Sequence, residues 1–491
     1  MQIITIGGGI GGLAAAAELA AAGHKVTLLE KNEVLGGKLN QIEANGFHFD
    51  TGPSLLTMPF LLDDLFERIG LPENQRPVYT AIEPACRYFW QDGTRFDCSG
   101  DLASTLSEIR RFAPGDETGY VRFLGHSAEL YDRTAQTFLF NPLKKISDLK
   151  SLKWSDVFRI NATKTVSDVV DRYVGSPYLR QFFKRFTTYN GSSPYLAPAT
   201  LNVIPFVELA QGGWYVKGGM YRIAEALEKA LKLHSVDIRT GVEVSSINVH
   251  RGNVSSVTTT DGDEFTANAV VANSDATETY TRLLPERALA ASAGKKISRV
   301  EPSCSGFVLL LGTDRKWDQL HHHNIFFSNN YRTEFDDIFT HKRLPADPTI
   351  YVTDTSLTDS QHAPSGGSNL FVLVNAPYIH DALDPDDSQK YADSVIHMLE
   401  QRGVANLSNH IVYREMIDPY RFYEWFRSNK GSIYGTSSNS KLAAFMRPRN
   451  KSPYVNGLYL CGGSTHPGGG IPLVLLSARH AVKAMLKDAE L

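Results

Sequence analysis

Two glycine-rich stretches near opposite ends of the chain have the composition of loops that bind phosphate groups. "IITIGGGIGG" extends from Ile3 to Gly12, and "CGGSTHPGGGIP" extends from Cys461 to Pro472. Glycine-rich loops that cradle phosphates usually open a nucleotide-binding domain. The first stretch has that position, whereas the second lies close to the C-terminus and needs an explanation of its own.

The first stretch has the local pattern of a dinucleotide-binding turn. "QIITI" predicts a buried parallel strand, and the alanine-rich run from Leu13 to Gly23 predicts a helix that ends on a glycine. Between them, Gly7 permits a tight turn, Gly9 lets the backbone approach a pyrophosphate and Gly12 lets the helix pack closely on the strand. The spacing predicts a pyrophosphate site at the helix N-terminus.

An acidic residue completes this pattern. The second strand, "KVTLLE", ends at Glu30, where a carboxylate can accept hydrogen bonds from ribose hydroxyls. Its negative charge would repel a 2′-phosphate, so NADP is disfavoured. The glycines alone are compatible with a tight turn that binds nothing, but the complete order of strand, glycines, helix, strand and acid favours dinucleotide binding.

The composition limits the class of protein. At 491 residues the chain is too long for one core and predicts two domains or a large discontinuous one. A formal net charge of -3 gives no support for nucleic-acid binding. The cysteines are far apart and form no CxxC pair, which favours a reducing, cytoplasmic setting without a structural metal; they are Cys86, Cys98, Cys304 and Cys461.

The apolar run from Ile3 to Ala22 has the length of a signal peptide or a membrane span but not the other features of one. No Lys or Arg precedes it, Glu18 interrupts it, and glycines crowd its first half. A signal peptide needs a basic leader and an unbroken apolar centre. The run is therefore interpreted as part of the nucleotide-binding domain.

The middle of the chain contains a second segment with the helix and strand pattern of a nucleotide-binding domain, flanked by segments of different composition. Between Gly212 and Asp275, a helix from Met220 to Leu233 is followed by several short strands, and "AVVAN", from Ala269 to Asn273, predicts a buried strand of the parallel sheet. Two other segments are richer in aromatic and irregular sequence, which indicates a separate lobe. They comprise residues 77–211 and 297–449.

These observations predict a mixed α/β fold. A Rossmann-like dinucleotide-binding domain would consist of residues 1–76, 212–296 and 450–491, and a discontinuous substrate-binding lobe would consist of the two remaining segments. In the last segment, "GLYLCG" predicts a strand, and a helix is expected from Ile471 to Lys487 with Pro472 in its first turn.

The residues after Glu30 resemble the FAD-binding signature of the amine oxidase and phytoene desaturase superfamily. In "EKNEVLGGKLNQIEANGFHFDTGPSLLTMP" the acid is followed by a Gly-Gly-Lys element and a turn at "HFDTGPS". The resemblance implies FAD as cofactor in a fold of the glutathione-reductase and amine-oxidase type. It also implies cofactor contacts at Lys31, Gly37, Lys38, Pro53 and Ser54, and an adenine contact from the backbone near Val244.

The C-terminal loop then acquires a role at the other end of the same cofactor. A helix that starts at this loop directs its positive end forward, and a flavin that is being reduced accumulates negative charge along N1 and C2=O. Glycines let the backbone approach the ring. The residues expected at the flavin are Gly462, Gly463, Gly470, Ile471 and Pro472.

Nearly the whole chain resembles carotenoid desaturases of the bacterial phytoene-desaturase type. "GGSTHPGGGIP", "VKGGM" and "VVANSD" join the N-terminal motif in this resemblance, while "YFWQDGT" and "YNGSSPYLAPATLNVIP" are similar to the 1-hydroxycarotenoid 3,4-desaturase branch. The resemblance implies loss of a hydride to the flavin and of a proton from a bond beside a polyene, with oxygen or a quinone as electron acceptor.

Few residues are candidates for acid–base chemistry. His466 lies in the C-terminal loop and is a candidate proton acceptor, because the ordinary pKa of histidine lies near neutrality; a purely structural role is the alternative. Glu208 and Tyr189 are weaker candidates. The tract His321–His323 suggests a metal site, but three adjacent side chains cannot all face one metal from a strand or helix, so we expect a loop and no metal.

A carotenoid substrate resides in the bilayer, so peripheral binding to the cytoplasmic membrane is expected. "FLFNPLKKISDLKSLKWSDVFRI" combines aromatic and aliphatic residues with basic ones, a composition suited to anionic headgroups. A lobe helix with a solvated basic face is the alternative. The apolar members are Phe138, Phe140, Leu143, Trp154 and Phe158, and the basic members are Lys144, Lys145, Lys150, Lys153 and Arg159.

Two other functions remain open at this stage. An FAD amine oxidase would act on a soluble amine, often with a flavin-linking cysteine near the C-terminal loop, but Cys461 is expected to be a core strand residue. Rab escort and GDP-dissociation-inhibitor proteins share this fold and bind prenyl chains without flavin. Glu30, Gly36, Gly37 and the C-terminal loop argue against that function, since these features serve the cofactor.

Overall fold

The computed structural model describes residues 1–141, 161, 163–289, 291–440 and 447–490. The fold is mixed α/β, as predicted. The strands of these residues are β1 (Gln2–Ile6), β2 (Lys25–Leu29), β3 (Gln41–Ala44), β4 (Phe47–Asp50), β5 (Tyr79–Ala81), β6 (Cys86–Phe89), β7 (Arg95–Cys98), β8 (Trp214–Val216), β9 (Asp237–Arg239), β10 (Val244–His250), β11 (Asn253–Thr259), β12 (Glu264–Thr266), β13 (Ala269–Ala272), β14 (Ser305–Thr313), β15 (His323–Phe326), β16 (Ile350–Asp354), β17 (Ser368–Ala376), β18 (Ile411–Ile417) and β19 (Leu458–Leu460).

The α-helices are distributed between the strands. They are α1 (Ile10–Ala21), α2 (Phe60–Arg68), α3 (Leu102–Phe112), α4 (Glu117–Phe138), α5 (Val166–Tyr173), α6 (Pro177–Lys184), α7 (Ile204–Leu209), α8 (Arg222–Leu233), α9 (Ala276–Glu278), α10 (Ala291–Ser298), α11 (Tyr331–Asp336), α12 (Ser388–Gln401), α13 (Leu407–His410), α14 (Pro419–Phe426) and α15 (Ile471–Ala489). Within the described ranges, none of these helices has the length and apolar composition that a membrane crossing requires.

A five-stranded parallel sheet in the order β19-β13-β1-β2-β9 forms the centre of the first lobe. Successive residues of β1 point to opposite faces: Ile3 packs with α1, α2, α8 and α15, and Ile4 packs with the antiparallel strands β10 and β11. Apolar residues therefore occupy adjacent positions of β1, at Ile3 and Ile4, because both faces of the sheet are covered.

Helix boundaries differ slightly from those predicted. α1 begins at Ile10 rather than Leu13, so Gly11 and Gly12 are helical residues, and α8 begins at Arg222 rather than Met220. α1 retains its glycines because it packs closely on the parallel sheet and on the two helices beside it. Helix propensity, which disfavours glycine, is overridden by this packing.

A seven-stranded sheet in the order β18-β14-β17-β16-β15-β6-β7 forms the centre of the second lobe. Its strands come from both of the segments that the sequence separates from the nucleotide-binding pattern. Its neighbours pair antiparallel except β15 and β6. One face packs on α12, and an aromatic cluster of the adjoining helices lies beside β6 and β7. The domain boundaries themselves stay a prediction.

Candidate functional site

The N-terminal loop connects β1 to α1 through Gly7, Gly8 and Gly9. A Cβ atom at Gly12 would lie 2.0 Å from the carbonyl oxygen of Gly7, and Gly7 has φ +93. No side chain caps α1, and its first turn contains no acidic residue. The N–H groups and the positive end of the helix dipole are therefore available to a negatively charged group in front of the loop.

Glu30 lies directly in front of this loop. Its Oε2 accepts a hydrogen bond of 2.6 Å from the Gly8 N–H, and its Oε1 accepts one of 2.8 Å from the Asn32 N–H. Burial raises the pKa of Glu30, and these two N–H groups oppose that change. Two fixed donors thus hold the carboxylate at the predicted position.

The Gly36-Gly37-Lys38 element packs on the same loop. The Gly36 N–H donates to the Gly8 carbonyl at 2.8 Å, and a Cβ at Gly37 would lie 2.9 Å from the Cα of Gly9. Lys38 is buried between the lobes: its Nζ donates to the carbonyls of Ser432 (3.0 Å) and Ile433 (2.7 Å). Burial lowers the pKa of Lys38 to about 8.

Three further predicted residues surround this element. Lys31 donates through Nζ to Asn32 Oδ1 at 2.8 Å and to the Glu424 carbonyl at 3.0 Å. The turn that holds Pro53 and Ser54 is pressed on Lys38, since a Cβ at the preceding Gly52 would lie 1.8 Å from the Lys38 carbonyl oxygen. The Ser54 hydroxyl bonds the Tyr351 hydroxyl at 2.6 Å.

Val244 is the first residue of β10 and is buried. Two residues earlier, the Val242 N–H donates to the Glu30 carbonyl at 2.8 Å. The backbone of this strand therefore enters the fold beside Glu30, where an adenosine contact was predicted. The contact itself stays a prediction.

The C-terminal loop meets the N-terminal loop. A Cβ at Gly11 would lie 3.2 Å from the Cα of Gly462. The side-chain amide of Asn273 lies between the loops. A Cβ added at Gly9 would lie 2.8 Å from its nitrogen, and a Cβ added at Gly11 or at Gly462 would lie 2.6 Å from its oxygen. Glycine at all three positions permits the two loops to join around one amide.

The start of α15 faces open space. Gly470 has φ +93, and a Cβ there would meet no atom within 4 Å. The helix continues through Ile471 and Pro472 with no side-chain cap and no acidic residue in its first turn. Its positive end is therefore available to a group in front of the loop, as it is in α1.

A buried guanidinium supports the C-terminal loop. Arg447 donates through Nη1 to the Gly463 carbonyl and through Nη2 to the Thr436 carbonyl, both at 3.0 Å. Burial lowers its pKa to about 10, so the side chain is positively charged at neutral pH. The sequence prediction missed Arg447 because nothing in the residues around it indicates burial.

His466, the predicted proton acceptor, has the contacts of a packed residue. Its backbone N–H donates to the Pro448 carbonyl, and its ring Nε2 lies 3.3 Å from the Asn141 carbonyl oxygen. The ring also stacks on that of His480, with 5.7 Å between the two centroids. Burial, and then the neighbouring His480, lower the pKa of His466 to about 4. Its imidazole is neutral at pH 7 and a weak base, and a proton-transfer role stays a prediction.

The weaker candidates, Glu208 and Tyr189, contact each other in the second lobe. The Tyr189 hydroxyl donates to Glu208 Oε2, and Arg185 donates through Nη2 to Glu208 Oε1 at 2.7 Å and to the Tyr88 hydroxyl at 2.6 Å. The Arg185 guanidinium lies 4.2 Å from the Phe186 ring centroid. A buried ion pair is thus embedded among aromatic rings.

The histidine tract is only partly a loop. His321 and His322 precede β15, but His323 is its first residue and is buried. Among the described residues there is no cluster of side chains suited to hold a metal ion. The basic and aromatic segment proposed for membrane contact falls almost entirely on 142–160, outside the described residues; Phe140 lies before it and packs against the core of the first lobe.

The geometry fits FAD. The α1 loop and Glu30 suit a pyrophosphate and a ribose, while the open space before Gly470, the α15 N-terminus and Arg447 suit a ring that accepts negative charge. Fold and site together define an FAD-dependent oxidoreductase.

Comparison with known proteins agrees with this class. Residues 10–486 match the family described as flavin containing amine oxidoreductase, and the chain belongs to this family. It is 39% identical to the 4,4'-diapolycopene oxygenase of Methylomonas sp. over 100% of the chain and 99% of the relative. It is 36% identical to the 4,4'-diaponeurosporene oxygenase of Staphylococcus haemolyticus over 97% of the chain and 95% of that protein.

Solved structures share the fold. An oxidoreductase from Methanosarcina mazei has a TM-score of 0.67 at 17% identity and covers 99% of this chain and 100% of its own. A putrescine oxidase variant has a TM-score of 0.67 at 15% identity, with 99% of both chains covered. The predictions of the superfamily, the fold class and FAD are confirmed. The desaturase reaction is not confirmed, because the relatives are named oxygenases.

Proposed function

We propose that this protein is an FAD-dependent oxygenase that introduces oxygen at an end of a linear carotenoid. The observation that carries the proposal is the 39% identity, along the complete chain, to a protein named 4,4'-diapolycopene oxygenase. The 36% identity to a 4,4'-diaponeurosporene oxygenase supports the same substrate class. Both names describe linear carotenoids, so carotenoid biosynthesis is the proposed setting.

When bound, FAD supplies a hydride acceptor. The chain's own residues would then hold and polarise it. Glu30 would fix the adenosine ribose, the N-terminus of α1 would bind the pyrophosphate, and the N-terminus of α15 with Arg447 would stabilise negative charge on the reduced ring. Lys38 joins the two lobes beside it.

The second lobe suits a long apolar substrate. Its core beside β6 is a continuous aromatic cluster, in which Phe182 contacts Tyr88 edge-on at 5.0 Å and Phe183 at 4.9 Å. The Tyr434 ring lies between Gly191 and Gly469. A Cβ added at Gly191 would lie 2.7 Å from a ring atom, and a Cβ added at Gly469 would lie 3.0 Å from another. An aromatic residue therefore lies where the lobe meets the C-terminal loop.

The test is expression in cells that accumulate one linear carotenoid, followed by mass spectrometry of the pigments. Oxygenation adds oxygen to the substrate, whereas desaturation removes two hydrogen atoms and adds none. Labelled O2 and labelled water, supplied separately, identify the source of the oxygen. Pigment that lacks oxygen but has lost hydrogen would overturn the oxygenase proposal.

Desaturation is the second candidate because of the motifs shared with phytoene-desaturase-type enzymes, including "YNGSSPYLAPATLNVIP". It requires the same flavin site and differs in the bond that is oxidised. Cells that accumulate phytoene, neurosporene or 1-hydroxylycopene would then show red-shifted pigments without added oxygen. Peripheral membrane binding accompanies both candidates, since either substrate resides in a bilayer; sedimentation with anionic vesicles tests it.

A further inference from the structure

A line of histidines and tyrosines extends from the cofactor-side turn to the protein surface. Its members come from five separate parts of the chain, and no function has been assigned to it above. We name it the histidine track, and its members in spatial order are Ser54, Tyr351, His323, His322, Tyr215, His362, His48 and Glu43.

The inner end of the track is hydrogen-bonded. The Ser54 hydroxyl lies 2.6 Å from the Tyr351 hydroxyl, which lies 2.8 Å from His323 Nδ1. The turn of Ser54 is pressed on the backbone of Lys38, which belongs to the loop assembly of the flavin site. A proton released at that site therefore meets a chain of exchangeable groups.

The central part consists of rings in contact. The centroids of His323 and His322 are 4.4 Å apart, and those of His322 and Tyr215 are 4.7 Å apart. The exposed fraction is 2% for His323, 4% for His322 and 0% for Tyr215. Bulk solvent is thus excluded from this part.

The outer end reaches solvent. The Tyr215 hydroxyl lies 3.5 Å from His362 Nδ1, and the His362 ring stacks on His48 at 4.2 Å. His48 Nδ1 lies 3.5 Å from Glu43 Oε1, and the Glu43 side chain is 72% exposed. The track therefore ends at a carboxylate in water.

Two imidazole nitrogens along the track are buried without a hydrogen-bond partner, Nε2 of His322 and Nε2 of His323, while Nε2 of His48 lies 3.9 Å from Asp50 Oδ1. Unpaired buried nitrogens are uncommon and costly. Nδ1 of His322 lies 2.6 Å from Thr358 Oγ1, and Nδ1 of His323 lies 2.8 Å from the Tyr351 hydroxyl. Since a neutral imidazole has one donor and one acceptor nitrogen, Nε2 is the nitrogen of each ring that can exchange a proton with a neighbour or an intervening water.

The proton affinity rises toward the surface. Burial lowers the pKa of His322 to about 4 and places that of His323 well below its ordinary value. Burial also lowers the pKa of His48, but Asp50 and Glu43 more than offset it and raise the pKa overall. The charged groups that face the track are Arg185 at the inner end and Asp50, Asp359 and Arg222 at the outer end.

We propose that the histidine track conducts protons between the flavin site and solvent. Oxidation of a C–H bond by loss of a hydride leaves one proton to be removed. Ser54 accepts that proton and passes its own to Tyr351, each later group does the same, and Glu43 releases one proton to water, so every group is regenerated. The proposal rests on the flavin site and on the proposed C–H oxidation, but its test needs no carotenoid.

The test uses reoxidation of the bound flavin. Reoxidation of the anionic two-electron-reduced form, FADH−, by O2 to FAD and H2O2 consumes one proton, which the track must deliver inward. We expect Tyr351→Phe and His323→Asn each to slow reoxidation by at least ~10-fold and to raise the solvent deuterium isotope effect. The control is His126→Asn, since His126 is a half-buried histidine whose Nε2 is also buried and unpaired and whose ring stacks on Tyr173.

The double variant tests whether the groups act in series. If one path passes through both, Tyr351→Phe/His323→Asn reoxidises as slowly as the slower single variant, because a broken path cannot be broken again. Flavin content and melting temperature identify any variant that has merely lost its fold. Unchanged rates and isotope effects in both folded single variants overturn the proposal, and so do multiplying effects in the double variant.

A measurement without turnover completes the test. In resting holoenzyme labelled with 15N-histidine, the ring N–H of His323 should exchange with water through the track. His362→Asn, which interrupts the track at a distance from His323, should slow that exchange at least several-fold, whereas His126→Asn should not. Equal exchange in all three proteins overturns the proposal. Failure of wild-type enzyme to oxygenate any carotenoid would leave these readouts intact.

Discussion

The two glycine loops share one local design but are stabilised in different ways. Each connects a parallel strand to a helix that has no side-chain cap. Around Gly12 the backbone leaves no room for a Cβ, whereas a Cβ at Gly470 would meet nothing within 4 Å. The N-terminal loop faces the Glu30 carboxylate, and the C-terminal loop is held by the Arg447 guanidinium.

This difference matches the two ends of one cofactor. Ribose hydroxyls need a fixed acceptor, and pyrophosphate needs a backbone without side chains, which the N-terminal loop provides. A ring that gains electrons needs positive charge and space, which the C-terminal loop provides. We therefore expect the first loop to act mainly through steric fit and the second mainly through charge.

The largest expected effect is that of Gly12→Ala. Its Cβ would lie 2.0 Å from the Gly7 carbonyl oxygen, so strand and helix must separate, and we expect protein without bound flavin or no folded protein. The visible flavin absorbance per chain measures this. Gly125→Ala is the control, because Gly125 is also a helical residue, in α4, but has no atom within 4 Å of its Cβ position. Full flavin content in Gly12→Ala would refute the steric account.

The acid sensitivity of α15, whose His480 stacks on His466 of the C-terminal loop, is the next largest effect. Burial lowers the pKa of His480 from 6.5 to about 4, so the unfolded chain binds a proton that the folded one does not as the pH falls from 6.5 to 4. Stability is therefore lost in this window, by at most ~3 kcal/mol for this residue. His480→Asn should flatten the fall in melting temperature there, while the exposed His397→Asn should not. If the melting temperature of His480→Asn fell with pH as steeply as that of the wild type, this prediction would be contradicted.

Glu30→Gln should weaken FAD binding about 10-fold, since it replaces a charged acceptor at the ribose with a neutral one. Titration of the apoprotein with FAD gives the affinity. Binding of FMN, which lacks the adenosine half, should not change, and this separates a ribose contact from general damage to the loop. A parallel loss of FMN affinity would show that Glu30 acts through the fold.

Gly470→Ala is expected to have the smallest effect. The substitution places alanine at φ +93, which costs ~1 kcal/mol, but it produces no clash. FAD should be retained, with a small fall in melting temperature. Loss of flavin comparable to that of Gly12→Ala would remove the distinction between the two loops.

The local parts of the site could be predicted from the sequence. β1, the glycine turn, β2 and Glu30 depend on interactions within a short stretch of chain, and so does the start of α15 at Ile471. The amide of Asn273 between the loops could not be predicted, because glycines from distant segments meet there only in the folded chain.

The histidines illustrate the same limit. Adjacent spacing argues against a metal at His321–His323, and the expected loop gives way to β15 at His323, where pairing of the strand with β16 and β6 determines the backbone. His48 and His362 are separated from this tract in the sequence and join it only through tertiary packing. Arg447 was missed for the same reason, as burial of a lone arginine leaves no local signal.

The order of strands in the parallel sheet has a consequence for biosynthesis. β13 is bordered by β1, from the start of the chain, and by β19, from its end. The C-terminal glycine loop follows β19, so the two glycine loops can meet only after the whole of the chain between them has been synthesised. Because such distant segments pair slowly, the nascent protein passes through a stage in which its N-terminal half-site exists alone. Flavin that is present before the second loop has been synthesised should thus matter less than flavin that is present afterwards.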